Sequence, residues 1–161
     1  MQAKPVRESI SEYAELAMPN DVNQLGNILG GKVMHLVDLA GAMAAIRHAR
    51  LPVVTASVDS LQFLHPVHSG ELILLRSSVN RAFQTSMEVG VKVMTENLLT
   101  GRRLHTCSAY VTFVALDEAG KPAPVPPVLP ESEEEKRRYR EAGERREYRL
   151  AQRIRARSNA G

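Results

Sequence analysis

Tryptophan is absent from the 161 residues, and there are only three Phe and four Tyr. With so few rings, no base-stacking platform for a single-stranded nucleic acid is expected. Cysteine is nearly absent too. Cys107 stands alone, which excludes an intrachain disulfide. Its place in an alternating apolar run makes it a buried small residue rather than a reactive thiol. No apolar run approaches the roughly 18 to 20 residues that a membrane span needs. The N-terminal MQAKPVRESISEY has no apolar core of a secretory signal. A cytoplasmic protein without a membrane partner is expected.

A charge excess is also missing from most of the chain. The net charge is +3, but ten of the 21 Lys/Arg and seven of the 18 Asp/Glu fall in residues 131–161, so residues 1–130 hold eleven of each. A neutral body argues against a nucleic-acid module, which normally carries a basic face on the folded domain.

What is present reads as one domain with a core. Residues 1–8 read as a frayed terminus and 9–18 as a short strand. PNDVNQLGNILGG is loop chemistry. Asn27 is placed to cap a helix, leaving the amides of Ile28 to Gly31 as free first-turn donors. Residues 28–49 are helical in pattern, with Val33, Leu36, Val37, Ala40 and Ala44 at helical spacing and apolar residues on most other positions. Such a helix is buried on more than one side. Four alternating runs follow, Val53 to Leu64, Glu71 to Arg81, Thr85 to Asn97 and Arg102 to Leu116, separated by turn signals. Residues 121–130, KPAPVPPVLP, read as an extended proline-rich linker. Residues 131–161 read as a charged, exposed helix, acidic at its start and basic at its end.

The expected class is therefore α+β: one long helix wrapped by one curved antiparallel sheet of about five strands. The helix covers one sheet face, and partner subunits are expected to cover what remains apolar.

The runs MPNDVNQLGNILGG, VDLAG, VTASVDSLQFLHPVHSGE, TSMEVGVKV and YVTFVALDEAGKPAPVPP occur in this order. Together they resemble the acyl-CoA hydrolases of the hotdog superfamily, over roughly residues 9–140. The resemblance implies a long central helix gripped by an antiparallel sheet, units paired side by side, and often a trimer of such dimers. It implies hydrolysis of an acyl-CoA substrate to free acid and CoA, with neither metal nor organic cofactor.

Thioester hydrolysis needs an activated water or nucleophile and donors for the oxyanion. Asp38 is the only acid between Asp21 and Asp59 and lies in mid-helix, where a carboxylate is costly unless paired or useful. It matches the family's catalytic aspartate in D-x-A-G. The alternative is a structural Asp bonded across an interface. Gly30 and Gly31 each disfavour a helix by about 1 kcal/mol, so a ligand approaching their bare backbone is one reason for them and close packing is another. Asn23 reads as turn chemistry, while the family's D-x-N-x-x-G motif gives it a role in orienting the thioester or the attacking water. Gly31 and Asp38 are seven residues apart, about 10 Å along a helix, so they are expected to meet one thioester only across a dimer.

The family's Gly-Arg-Thr-Ser turn matches Phe83-Gln84-Thr85-Ser86 here. Thr85 and Ser86 are carried over as CoA contacts, and Arg81 is the candidate replacement for the missing charge. His65 and His68 form H-x-x-H in a loop without further ligands nearby, and no metal site is expected. A non-catalytic acyl-CoA sensor is the competing reading, with a hotdog hydratase as a third. A sensor has no need of Asp38 at the thioester, and a hydratase's catalytic His is missing before His35.

Overall fold

The computed structural model describes residues 1–161. The chain runs β1 (Lys4–Pro5), β2 (Ser11–Leu16), α1 (Gly30–Ala49), β3 (Val53–Phe63), β4 (Leu72–Ala82), β5 (Ser86–Glu96), β6 (Arg103–Ala115), β7 (Val128–Leu129) and α2 (Glu133–Asn159). Five strands form one antiparallel sheet in the order β2-β4-β5-β6-β3. Each of the four long strands lies within a residue of its expected limits. The period-two pattern explains why. On β5, Met87, Val89, Val91 and Val93 are buried toward α1, while Glu88, Gly90 and Lys92 alternate on the other face.

Helix α1 crosses the inner face of the sheet, burying Val33, Leu36, Val37, Ala40, Ala44 and Ala45. The crossing is close at Gly41, where a Cβ would come within 2.9 Å of the Phe113 ring. That approach, tighter than real side chains make, explains a glycine in mid-helix where propensity alone disfavours it. No helix of the chain is long and apolar enough to cross a membrane.

Two segments depart from expectation. Residues 1–8 are not frayed: β1 pairs in parallel with β7, Val6 is buried, and the buried Ser9 hydroxyl accepts from the Val79 amide. The proline-rich stretch is extended, yet it is no free linker. Ala123, Val125 and Val128 are buried, and the Val125 amide donates to the Gln84 carbonyl. Prolines remove donors but leave alternating small apolar side chains, which suffice to lay the segment on the body as a strap.

The outer face of the sheet is also not left to partner subunits alone. Helix α2 is exposed along most of its length, with Ala142 its single buried residue, but one side is docked on the sheet. Its start is capped by Ser132, which accepts from the Glu135 amide while the Glu135 carboxylate takes the Ser132 amide. Arg145 then bonds Glu88 on β5, and Arg149 bonds Asp59 on β3.

Apolar side chains also stay uncovered beside α1 and β3. On α1, Met34, Leu39 and Ile46, and on edge strand β3, Val58 and Phe63, are each 41% to 49% exposed. Met34 and Val58 adjoin: with Val37, Asp38, Leu61 and Val111 they line a small cleft between α1 and β3.

Candidate active site

The helix start is built differently from the expected cap. Leu29, not Asn27, is the cap residue, and no side chain caps the helix. Asn27 instead bridges His68 in the neighbouring loop. Two of the four amides expected to be free are consumed, because Ile28 donates to the Val67 carbonyl and Leu29 to the Asp21 carbonyl. The amides of Gly30 and Gly31 find no acceptor in the chain. They point out of the first turn, where the helix dipole adds positive potential. A Cβ on Gly31 would meet nothing within 4 Å, so packing inside the chain does not explain that glycine. Beside Gly30 lies a groove floored by Phe63, Leu64, Pro66 and Val67.

Asn23 sits in the loop leading to this turn. Its Oδ1 accepts from the Leu25 amide at 2.9 Å and the Asn27 amide at 3.2 Å. The turn reading therefore holds for one end of the side chain. Two backbone donors on the oxygen fix the amide orientation, which leaves the Nδ2 group facing outward without an acceptor in the chain.

Asp38 lies two turns further along α1 and is half-buried. Its Oδ1 accepts from the Thr55 hydroxyl at 2.5 Å, and it borders the cleft shared with Met34 and Val58. Thr55, the partner of this carboxylate, is a residue that the sequence reading does not single out. A threonine on a strand is ordinary composition, and nothing in its local pattern marks it as the partner of a helix carboxylate. The structure thus groups Asn23, Gly30 and Gly31 at the helix start, and Asp38 with Thr55 at mid-helix. It does not bring the two groups together within one chain.

The remaining candidates lie at the far end of the sheet. The Ser86 hydroxyl is buried and accepts from Arg146 of α2 at 3.4 Å. Thr85 uses its carbonyl to receive the Ala115 amide. Arg81 stacks against Tyr139, its guanidinium carbon 4.2 Å from the ring centre. Arg81 and Ser86 are therefore drawn into the docking of α2, and Arg146 joins them from a helix that sequence spacing alone does not place.

Glu88 is a further group that sequence reasoning takes for a solvent-facing strand position. It is fully buried, held by Arg145 through Nε at 3.0 Å and Nη2 at 2.7 Å and by Asn80 at 3.1 Å. Burial works against the charge of Arg145, but the bonds and charge of Glu88 outweigh it and hold that guanidinium above the ordinary arginine value. Arg145 also lies 3.6 Å from the centre of the Tyr110 ring. Cys107 is buried and its thiol is pushed up by that burial, so it is an unreactive core residue. His65, His68 and His35 are exposed, whereas His48 packs inside and bonds the Pro126 carbonyl.

Residues 25–101 match the thioesterase superfamily. The chain is 44% identical over 129 residues to the acyl-CoA thioester hydrolase YkhA of Bacillus subtilis, covering 80% of this chain and 75% of that protein. Among solved structures, an apo-hexameric acyl-CoA thioesterase superimposes with a TM-score of 0.91 at 45% identity, over 94% of this chain and 97% of that one. An acyl-CoA hydrolase from Staphylococcus aureus, solved with butyryl coenzyme A and coenzyme A, gives 0.90 at 36% identity, over 98% and 96%. Variants of that enzyme with an asparagine, an aspartate or a threonine replaced by alanine have also been solved. With helix α1 gripped by a five-stranded sheet and this degree of likeness over most of its length, the chain belongs to the acyl-CoA thioester hydrolases of the thioesterase superfamily, and has the hotdog fold.

Proposed function

We propose that this acyl-CoA thioesterase works as a homo-oligomer whose dimer is the catalytic unit, with each active site shared between two protomers. Asn23, Gly30 and Gly31 of one protomer hold the thioester carbonyl, and Asp38 of the partner activates the attacking water. The observation that carries the reading is one of position. The free Gly30 and Gly31 amides and the Thr55-anchored Asp38 both lie along α1, where the half-exposed Met34 adjoins the half-exposed Val58 of edge strand β3. Gly31 and Asp38 are seven residues apart, about 10 Å along the helix, and a side chain that leans toward the N-terminus closes only part of that gap. A two-fold pairing that covers the β3 edge sets Asp38 of one chain against the helix start of the other.

The chemistry follows from the groups. Thr55 occupies Oδ1 of Asp38 and leaves Oδ2 to take a proton from water. The water oxygen adds to the thioester carbon. Charge on the carbonyl oxygen is met by the Gly30 and Gly31 amides and by Nδ2 of Asn23. The intermediate collapses with cleavage of the C–S bond, and the departing thiolate takes up the proton from Asp38. In the Staphylococcus aureus enzyme, the substituted asparagine, aspartate and threonine are separated by 15 and 17 residues. Asn23, Asp38 and Thr55 have the same separations, which supports the grouping. The proposal includes a trimer of such dimers, supported by the hexameric relative, and a cytoplasmic location, where the single thiol stays reduced.

Asp38→Asn tests the assignment. Hydrolysis of butyryl-CoA falls by a factor on the order of 10² or more, with an unchanged fold. Near-normal hydrolysis by Asp38→Asn refutes it. Single turnover in ¹⁸O-water tests the role: a general base puts label only in the released acid, and label in the Asp38 carboxylate makes it a nucleophile instead.

A further inference from the structure

Strand β3 carries two bulges. Against β6, Thr55 pairs with Phe113 but Ser57 with Thr112, and Asp59 pairs with Tyr110 but Gln62 with Ser108, so β3 holds one extra residue at each step. The second bulge contains Ser60, whose φ is 51°. The other non-glycine residue with a positive φ is Arg50, which ends α1. Left-handed backbone at a serine inside a strand is strained and persists only where its surroundings over-determine it.

The bulges change what faces α1. Thr55 reaches Asp38, and Phe63 lies beside Gly30. Strict alternation between Thr55 and Phe63 would turn Ser57, Asp59 and Leu61 to that same side. The bulges exchange Ser57 and Asp59 for Val58. Val58 and Leu61 then line the cleft beside Asp38, with Met34, Val37 and Val111. Asp59 points to the opposite face, where its carboxylate accepts from Arg149 of α2 at 2.6 Å.

The exchange matters for the proposed chemistry. A second carboxylate beside Asp38 would oppose its ionised form, and a general base has to be ionised. None of the other residues lining that cleft titrates. On its own helix, the titratable neighbour of Asp38 is the exposed His35, three residues before it.

Only Arg149 holds the Asp59 side chain outside. Their side chains are 18% and 23% exposed, so this is not a pair at the open surface, where solvent would screen it. The hollow around Asp59 and Ser60 is shared by Glu141, Glu144, Arg145, Tyr148 and Arg149 of α2. Arg145 is engaged by Glu88. Without Arg149, the two glutamates would repel the Asp59 carboxylate from its outward position.

We infer that Arg149 and Asp59 are positioning residues for the active-site cleft. By holding the double bulge of β3, they keep Val58 beside Asp38 and a second carboxylate away from it. The inference rests on the reading of Asp38 as the general base. It gives helix α2 a part in catalysis without contact with substrate.

The test measures kcat and KM for butyryl-CoA against pH in the intact oligomer, with thermal melting to check the fold. Arg149→Gln should lower kcat about tenfold, less than loss of the base itself, with KM little changed. The acid limb of its kcat profile should move about 0.5 to 1 unit toward higher pH, as a like charge near a base requires. High salt should shrink the movement. Arg149→Lys should recover part of kcat. Adding Asp59→Asn to Arg149→Gln removes the unheld charge and should return the acid limb to its wild-type position. Arg138→Gln, which removes another α2 side chain paired with a carboxylate, that of Glu134, should change neither kcat nor the limb.

A folded Arg149→Gln enzyme with wild-type kcat and acid limb overturns the inference. So does a lowered kcat with an unmoved limb, or a moved limb that Asp59→Asn does not reset, since the pair is then a stability contact only. If Arg149→Gln does not fold, Ser60→Val loads the left-handed position with both charges in place and is read by the same two measures. Asp38→Asn, run alongside, separates the two claims. Retained turnover there removes the reading of Asp38 and this inference with it. An inactive Asp38→Asn beside an Arg149→Gln that matches wild type removes this inference alone.

Discussion

Asn23 holds its loop with one end of its side chain and has a proposed catalytic role at the other, and a single substitution separates the two. Asn23→Asp keeps an oxygen for the Leu25 and Asn27 amides and loses the outward N–H donors. The loop should stay folded, with melting temperature near wild type, while turnover falls about 10² to 10³-fold, as when an oxyanion donor is removed. Retained turnover would reduce Asn23 to turn chemistry. His48 makes a different test at the same scale. Its Nε2 bonds the Pro126 carbonyl at 2.7 Å and its Nδ1 is buried without a partner. Burial is the main force lowering its pKa; Lys4 adds to it, and the Pro126 bond and Glu8 oppose it. The folded chain therefore refuses a proton that the unfolded chain accepts near pH 6.5. This contribution to stability is full above about pH 6.5 and is lost as pH falls from there toward the lowered folded value. Melting at fixed protein concentration should show this slope in wild type and a flatter one in His48→Gln. Equal slopes would remove His48 from the account.

The elements were legible to different degrees, for physical reasons. Strands β3 to β6 and helix α1 announce themselves because each has one face in the core, so polarity follows the period of the backbone. The catalytic candidates at the helix start and at Asp38 were marked by oddity: glycines in a first turn and a lone acid in an apolar helix. Thr55 carried no such mark. Neither did the docking of α2, because its contacts are polar and sequence hydrophobicity does not register them. The Glu88–Arg145 pair is the extreme case, a buried carboxylate on a strand position that alternation assigns to solvent. It implies a measurable stake. Arg145→Ala leaves Glu88 buried and uncompensated, and should destabilise the protein by about 3–5 kcal/mol, the range for breaking a buried pair from one side. Glu88→Gln, which keeps a neutral hydrogen-bonding group, should cost less. Denaturant titration checks both. If Arg145→Ala costs no more than Glu88→Gln, α2 is held by something other than this pair.

At the scale of the molecule, one chain holds the parts of the proposed active site and keeps them apart. The donors lie at the first turn of α1 and the carboxylate two turns further on. The flank between them and the β3 edge presents apolar side chains that nothing in the chain covers. Exposed apolar surface beside an unpaired strand edge is a place for a second subunit, and in the proposed assembly a two-fold partner there completes two sites at once. On that proposal catalysis and assembly depend on one surface, and activity should be lost on dilution to monomers. The proposed site also makes a sharper demand. Asn23→Ala damages one half of each site and Asp38→Ala the other half. Each pure variant should be nearly inactive. After subunit exchange between the two, a mixed dimer holds one site with both lesions and one with neither. Recovery of activity in the mixture, up to one intact site per mixed dimer, is the predicted result. No recovery, with mixed dimers demonstrated by mass spectrometry, would place Asn23 and Asp38 of the same chain in one site and contradict the account.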